Sequence, residues 1–235
     1  MKTVMITGAN RGLGLEMVWH LVQEEEGPLI VATCRDPKSA EALNRMASEH
    51  PKRLKVFPME VTDADSVMEA YEAIAGEVDE LDWLVNNAGI GGFHNLEETT
   101  PEELKAVFEV NAVGPFLVTR TFRPLLQAAG SAMVFMVSSR MGSLDYAAKG
   151  GLDSFAYPAS KAALNMIGLQ LAKFLEPDGI GVVLQTPGWV QTDMGGSDAK
   201  YTPTQSISKV LKVWREATPE DSRKFFGENG EEVAW

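Results

Sequence analysis

Seven short runs of strand-forming residues alternate with longer helical stretches, and this alternation constrains the fold more than any other feature of the chain. The strand-like runs are residues 3–6, 29–33, 54–57, 81–85, 132–137, 180–184 and 224–226. The clearest helical stretches are residues 13–25, 66–75, 101–128 and 157–175. Strands that alternate with helices pair in parallel and are covered on both faces. The sequence therefore predicts an α/β fold, a doubly wound parallel sheet of about seven strands with helices on both faces.

The chain shows no repeat, low-complexity tract or linker, so we expect its 235 residues to form a single domain over positions 1–235. Two segments are expected to be irregular, residues 141–155 and 195–203. Ligand sites of open α/β sheets lie beyond the carboxyl ends of the strands, and we expect both segments there.

Charge and composition exclude several classes of function. A net charge of -12 argues against binding to nucleic acid or to an anionic membrane surface. The single cysteine, Cys34, excludes an intrachain disulfide and fits a reducing compartment. No apolar run approaches the ~20 residues of a membrane span, and the three histidines form no metal-ligand pattern. We expect a cytoplasmic protein with no metal, no nucleic acid partner and no membrane association.

A glycine-rich turn, Gly8-Ala9-Asn10-Arg11-Gly12-Leu13-Gly14, follows the first strand and opens the first helix. Glycines let the backbone turn sharply there and approach a pyrophosphate, whose charge a helix N-terminus favours. A glycine cluster alone also fits a purely structural turn. Its place between the first strand and the first helix of a βαβ unit favours a dinucleotide site.

The end of the second strand indicates which dinucleotide binds. Sites for NAD place a carboxylate there, whereas sites for NADP place an arginine near the 2′-phosphate. Here Cys34 occupies the strand end and Arg35 follows it, and Arg11 can reach the same phosphate. Two guanidinium groups against one carboxylate, Asp36, favour NADPH over NADH. The alternative is that Arg35 is an exposed loop charge that pairs with Asp36.

Tyr157 and Lys161 are four residues apart, and Pro158 indicates that a helix begins beside them. Residues at this spacing share one helical face, so the ammonium group is expected close beneath the phenol. A neighbouring positive charge lowers the pKa of a phenol, which then exchanges a proton with a carbonyl or alcohol oxygen. Taken alone, the pair also fits an ordinary solvated helix face.

Together with further motifs, these features resemble the short-chain dehydrogenase/reductase family over nearly the whole chain. The further motifs are Asn86-Asn87-Ala88-Gly89, Asn111 within residues 110–114, Ser138-Ser139, and residues 187–193. Residues 32–37 and the ending at 231–235 are most similar to the C-factor/sniffer-like carbonyl reductase branch. The resemblance implies a Rossmann fold and an NAD(P)-dependent oxidoreductase.

The resemblance also implies roles for individual residues. Tyr157 would be the general acid/base, and Lys161 would lower its pKa and bind the nicotinamide ribose. Ser139 would hydrogen-bond the substrate oxygen, and Asn111 would hold a water linked to Lys161. Asn87, Ala88 and Gly89 would line the adenosine side of the cofactor, and its nicotinamide would be held by Pro187, Gly188, Val190 and Thr192. Glu60-Val61 stands where the family has an aspartate beside the adenine, which leaves open whether the Glu60 side chain contacts the adenine.

Substrate contacts are less specific in the sequence. Phe93, Met141 and Trp189 flank motif residues and are predicted to line the substrate pocket, although ordinary packing explains them equally well. The Ser139-to-Tyr157 spacing is longer than is common in the family, with the extra residues placed within 143–153. The 195–203 stretch, where relatives carry a lid, is short, which favours an open pocket for varied or bulky carbonyls.

The resulting hypothesis is an NADPH-dependent reductase of a ketone, aldehyde or quinone-like carbonyl, with Tyr157 as general acid/base. Two alternatives remain: an NAD(P)-dependent alcohol dehydrogenase, and a dinucleotide-binding signalling protein with incidental reductase activity. Relatives often pair their two long helices across a twofold axis, which implies a homodimer or homotetramer.

Overall fold

A computed structural model describes residues 2–150 and 153–235 of the chain. One parallel sheet of seven strands has the order β3-β2-β1-β4-β5-β6-β7. The strands are β1 (Thr3–Thr7), β2 (Leu29–Cys34), β3 (Leu54–Pro58), β4 (Trp83–Asn86), β5 (Met133–Val137), β6 (Gly181–Gln185) and β7 (Phe225–Phe226). The predicted α/β, doubly wound parallel sheet is confirmed, and each strand lies within one or two residues of its predicted bounds.

Helices cover both faces of the sheet. They are α1 (Gly12–Val22), α2 (Glu41–Glu49), α3 (Ala64–Ala75), α4 (Pro101–Phe108), α5 (Gly114–Ala128), α6 (Leu144–Ala148), α7 (Ala156–Leu175) and α8 (Pro203–Glu216). Strands β1, β5 and β6 are buried along their whole length, because helices pack on both sides of them. This double burial explains why these strands read as continuous apolar runs.

The prediction of one continuous α-helix over residues 101–128 was wrong for residues 109–113. Helices α4 and α5 are separated by a π-helical turn, Glu109–Val113, in which the amide of Gly114 donates to the carbonyl of Glu109. Pro115 follows and has no amide hydrogen, so the ordinary α-helical ladder cannot run through this point.

The prediction of an irregular stretch over 141–155 was also wrong in part. A 3-10 turn (Arg140–Gly142) and helix α6 occupy its first half, and the hydroxyls of Ser139 and Ser143 cap their N-termini. Gly151 and Leu152, which belong to the predicted insertion 143–153, lie outside the described residues. The 195–202 stretch is irregular as predicted, with an isolated bridge between Val190 and Tyr201.

The sheet order fixes where a ligand can bind. The chain runs outward from β1 through β2 to β3, and then returns to place β4 on the other side of β1. The connections after β1 and β4 therefore diverge and leave a crevice at the carboxyl ends of these strands. In the part of the chain that the structure describes, no helix is long and apolar enough to cross a membrane.

Candidate active site and dinucleotide cleft

A cleft of about 880 Å³ opens at the carboxyl ends of β1 and β4. Most of the residues predicted to bind the cofactor line it: Gly8, Asn10, Arg11, Gly12, Leu13, Arg35, Glu60, Val61, Asn87, Ala88, Gly89, Tyr157, Lys161, Pro187 and Thr192. These residues come from six separate connections in the sequence. Their convergence makes the cleft the candidate functional site.

The glycine-rich turn is shaped by close packing and by its backbone angles. Gly8 and Gly12 have φ of +64° and +54°, which a residue with a side chain rarely adopts. A Cβ on Gly14 would lie 2.4 Å from the carbonyl oxygen of Gly8, so Gly14 allows α1 to pack against the turn although it does not line the cleft. Arg11, the residue before α1, gives no side-chain cap, and the helix N-terminus is left available to a phosphate.

The loop after β4 is fastened to the glycine turn by hydrogen bonds. The hydroxyl oxygen of Thr7 accepts from the amides of Asn87 and Ala88, both at 3.0 Å. The side-chain amide of Asn87 donates to the carbonyls of Thr7 at 2.9 Å and Gly8 at 3.2 Å. Asn87 therefore supports the turn as well as lining the cleft.

The two arginines expected at a 2′-phosphate both line the cleft, but each already faces a carboxylate. Arg35 Nε lies 3.8 Å from Glu60 Oε2, and its side chain is 75% exposed. Arg11 Nη1 lies 3.4 Å from Asp193 Oδ2. The sequence analysis counted one carboxylate, Asp36, against these two arginines. That count was wrong, because the fold also brings Glu60 and Asp193 to the cleft.

Glu60 and Asp36 have defined partners of their own. The other carboxylate oxygen of Glu60 accepts from the amide of Thr62 at 3.2 Å and from its hydroxyl at 3.0 Å. Asp36 accepts from the amide of Lys38 and caps a short 3-10 turn, so Arg35 does not take it as its partner. Glu60 thus points to Arg35 and Thr62 at the edge of the cleft.

Helix α7 begins at Ala156 and carries Tyr157 and Lys161 into the cleft, as the proline after the tyrosine predicted. The amide of Tyr157 donates to the carbonyl of Gly92 at 3.1 Å, which fixes the first turn against the loop after β4. Lys161 is 4% exposed, and its Nζ donates to the carbonyl of Val137 at 2.8 Å. The same Nζ lies 5.6 Å from the centroid of the Tyr157 ring.

The predicted lowering of the phenol pKa is not found in this structure. Burial raises the pKa of Tyr157 to about 12, and a hydrogen bond with Ser139 only partly opposes it. Burial lowers the pKa of Lys161 to about 8. The ammonium group points to the Val137 carbonyl, and its charge does not offset the loss of water around the phenol. Near neutral pH the phenol is therefore a protonated group that is able to donate.

Asn111 lies in the π-helical turn and is fully buried. Its Oδ1 accepts from the amide of Ile90 at 2.8 Å, and its Nδ2 donates to the Ile90 carbonyl at 2.9 Å and to Ser160 Oγ at 3.0 Å. The side chain thus joins the loop after β4 to α7. That Asn111 also holds a water linked to Lys161 stays a prediction.

Several predicted residues lie beside the cleft without lining it. Ser139 follows β5, and its Oγ accepts from the amide of Met141 at 3.2 Å. Trp189 is 58% exposed, and its Nε1 donates to the Gly195 carbonyl at 2.8 Å. Asn111, Ser139, Met141, Gly14, Gly188, Val190 and Trp189 are absent from the cleft lining. Phe93 does line the cleft, with its ring centroid 4.8 Å from that of Tyr157.

The cleft also contains residues that the sequence analysis did not assign to it. They are Cys34, Asp36, Ser39, Met59, Thr62, Ile90, Gly91, Gly92, His94, Glu103, Ala106, Glu109, Val110, Val137, Ser138, Asp193 and Met194. Most of them directly adjoin, in the chain, a residue that the sequence analysis singled out. Ser39, Gly91, Glu103 and Ala106 do not, and Glu103 Oε1 lies 2.8 Å from Nδ1 of His94. Among the described residues, no cluster of potential ligands suits a metal ion.

Comparisons with known proteins agree with this geometry. A family model described as short chain dehydrogenase matches residues 2–202. The chain is 42% identical to the C-signal protein of Myxococcus xanthus over 156 residues, covering 66% of this chain and 93% of that protein. An NADPH-bound carbonyl reductase from chicken fatty liver superimposes with a TM-score of 0.94 at 35% identity, covering 100% of this chain and 99% of that one. The carbonyl reductase Sniffer of D. melanogaster gives 0.93 at 29% identity, with all of both chains covered.

Proposed function

The chain belongs to the short chain dehydrogenase family of oxidoreductases, and on this premise we propose that it reduces the carbonyl group of a small molecule with NADPH. One observation carries the proposal: a protonated, half-buried phenol, Tyr157, faces a dinucleotide-sized cleft one helical turn from the buried ammonium of Lys161. The proposal concerns a ketone, aldehyde or quinone-like substrate.

The residues of the cleft fit a phosphorylated dinucleotide. The uncapped N-terminus of α1 suits the pyrophosphate, because its amides and dipole favour negative charge. Arg11 pairs with the exposed Asp193, and Arg35 pairs with the partly exposed Glu60. Ion pairs at such solvent-accessible positions are weak and can exchange for a 2′-phosphate. Similarity to a carbonyl reductase whose structure holds NADPH supports the same choice. When bound, NADPH supplies the hydride.

The protein's own groups manage the charge that develops on the substrate oxygen. In our proposal Tyr157 donates its proton to that oxygen, and the hydroxyl of Ser139 gives a hydrogen bond to it. Lys161 binds the ribose hydroxyls and keeps a positive charge beside the phenol as the proton leaves. Such positioned acid/base catalysis is worth roughly 10²–10⁴-fold in rate.

Two alternatives remain distinct from this proposal. The same residues catalyse alcohol oxidation when the reaction runs in reverse, so an NAD(P)-dependent alcohol dehydrogenase uses the same site. A signalling protein with incidental reductase activity is favoured by the similarity to the C-signal protein. Retention of both Tyr157 and Lys161 in the cleft supports catalysis over this second alternative.

We also propose a single domain that assembles in the cytoplasm as a homodimer or homotetramer. Helix α5 and the turn before it expose Val113 and Phe116, and α7 exposes Met166 and Phe174, the last with 73% of its surface. Apolar side chains on two long helices suit pairing with a second copy. The one cysteine, Cys34, is buried and unbridged, as in a reducing compartment.

The proposal is tested with the purified protein. NADPH and NADH are titrated by fluorescence, and a panel of ketones, aldehydes and quinones is then assayed by loss of nicotinamide absorbance. We expect NADPH to bind at least about tenfold more tightly, since hydrogen bonds to a charged phosphate are worth about 1.5–3 kcal/mol. Equal affinities would refute the choice of cofactor. Tight NADPH binding with no turnover across the panel would favour the signalling alternative.

A further inference from the structure

Among the described residues, Lys161 and Glu228 are the two charged side chains that are buried, with 4% and 7% exposure. The proposed function uses Lys161 and leaves Glu228 without a role. Glu228 follows β7, in the tail that ends the chain. A buried carboxylate is costly unless it is paired, so its partners indicate what it does.

Glu228 has two side-chain partners from different parts of the chain. Arg140 Nη2 donates to Glu228 Oε2 at 3.1 Å, and Tyr201 Oη donates to Glu228 Oε1 at 3.2 Å. Burial alone would raise the pKa of Glu228, but hydrogen bonds from its own backbone amide, Arg140 and Tyr201 lower the pKa below its usual value. Glu228 is therefore ionised at neutral pH.

Each partner adjoins a segment of the candidate active site. Arg140 directly follows Ser139, the residue that would hydrogen-bond the substrate oxygen. Tyr201 pairs with the loop after β6: its amide donates to the Trp189 carbonyl at 3.0 Å, and its carbonyl accepts from the Gln191 amide at 2.8 Å. That loop, residues 187–192, is the segment predicted to hold the nicotinamide.

Gly188 shows how closely the 187–192 loop packs against Tyr201 and Glu228. Its φ is +79°, and a Cβ there would lie 3.0 Å from the Tyr201 ring and 3.4 Å from Glu228 Cδ. The tail is anchored independently of its carboxylate, because Gln185 Nε2 donates to the Gly227 carbonyl at 2.8 Å and the amide of Val233 donates to Phe225 at 2.7 Å. Glu228 thus joins two active-site segments to a fixed point on the sheet.

We propose that Glu228 is a positioning residue, whose carboxylate holds the Ser139 turn through Arg140 and the 187–192 loop through Tyr201 in their working arrangement. The inference rests on the proposed function for its kinetic consequence only. Its structural consequence, restraint of the 187–192 loop, is measurable without any turnover.

Hydrogen exchange tests the restraint directly. In Glu228→Gln, we expect the amides of Gln191 and Tyr201 to lose protection by about tenfold or more, because glutamine has one acceptor oxygen in place of two and cannot accept from both Arg140 and Tyr201. The amide of Leu81, which donates to the carbonyl of Leu125 in helix α5 at 2.9 Å, serves as the reference and should keep its protection. Glu231→Gln is the matched control, since Glu231 also contacts Arg140 but its side chain is 44% exposed.

Kinetics then separate positioning from a structural role. We expect kcat of Glu228→Gln to fall by about tenfold or more per NADPH-binding site, with the dissociation constant of NADPH changed less than about threefold. If Glu228 only stabilised the fold, Glu228→Gln would lower the fraction of the protein that binds NADPH. The kcat per NADPH-binding site would then stay unchanged. Tyr201→Phe, which removes one hydrogen bond, should show a smaller effect in the same direction and replaces Glu228→Gln if that variant fails to fold.

Unchanged protection of Gln191 and Tyr201 in the variant would overturn the inference. So would equal effects of the Glu228 and Glu231 substitutions. A third outcome separates the two proposals. If the native protein is inactive but its 187–192 loop loses protection in Glu228→Gln, the proposed function is refuted and the positioning role of Glu228 stands.

Discussion

Lys161 Nζ lies 5.6 Å from the Tyr157 ring centroid, yet it donates its hydrogen bond to the Val137 carbonyl at 2.8 Å. The ammonium group is thus fixed to the end of β5 and placed beside the phenol without being bonded to it. Because burial raises the pKa of Tyr157 to about 12, the phenol keeps its proton at neutral pH. This arrangement suits proton donation to a substrate, the step that carbonyl reduction requires.

Replacement of Tyr157 by phenylalanine should abolish catalysis and spare cofactor binding. Removal of the hydroxyl takes away the proposed proton donor, so we expect kcat to fall by about 10²–10⁴-fold, while the dissociation constant of NADPH stays within a few-fold of the native value. Turnover of an activated ketone and NADPH fluorescence measure the two effects. Tyr146→Phe, on the exposed face of α6, is the control and should retain activity. Full turnover in Tyr157→Phe would remove this residue from the mechanism.

Substitution of Arg35 by aspartate should narrow or reverse the preference for NADPH. The change removes one cation near the expected 2′-phosphate and leaves a carboxylate beside Glu60, so NADPH should lose about tenfold or more in affinity while NADH loses little. Titrations with both cofactors give the ratio. Arg45→Asp, at an exposed position of α2, carries the same change of charge and should leave the ratio unaltered. An unchanged ratio in Arg35→Asp would show that Arg35 does not contribute to the choice.

Local patterns predicted the sheet and most of the cleft, because strand alternation and turn motifs are encoded by neighbouring residues. The predicted strand at 81–85 began two residues early for a physical reason. The amide of Leu81 donates to Leu125 in helix α5 and not to a neighbouring strand, and the pairing of β4 with β1 begins with Trp83 opposite Val4.

Contacts between distant residues could not be predicted in the same way. Arg11 and Asp193 are 182 positions apart, and Arg140 and Glu228 are 88 apart. Nothing in either local sequence identifies the partner, because only the order of the strands in the sheet brings the segments together. The pKa of Tyr157 was mispredicted for a related reason: its burial depends on Gly92, Phe93 and Ser139, which the helical spacing to Lys161 does not reveal.

Substitution of Gly14 by alanine should destabilise the protein and weaken NADPH binding. The new Cβ would lie 2.4 Å from the Gly8 carbonyl oxygen and 2.6 Å from Asn87 Nδ2, so the glycine turn and α1 must move apart. We expect the free energy of unfolding to fall by about 1–3 kcal/mol, as overpacking usually costs. Gly76→Ala, with its nearest contact at 3.5 Å and a φ of -73°, is the matched control and should change stability by less than about 1 kcal/mol. Urea denaturation measures the free energy of unfolding of both variants. If Gly14→Ala were as stable as the native protein, the glycine turn would tolerate a side chain.

Lys161 should make the stability of the cofactor-free protein rise with pH above about 8. Burial lowers its pKa to about 8 from the usual 10.5, so between these values the unfolded chain binds more protons than the folded one. The penalty is fully present below the folded pKa and disappears as pH approaches the unfolded value. The free energy of unfolding of the native protein, measured against that of Lys161→Met at each pH, should therefore increase by up to about 3 kcal/mol from neutral pH to about pH 10. The comparison cancels the titration of other lysines and tyrosines, and a difference that stays constant with pH would mean that Lys161 keeps an ordinary pKa in the folded protein.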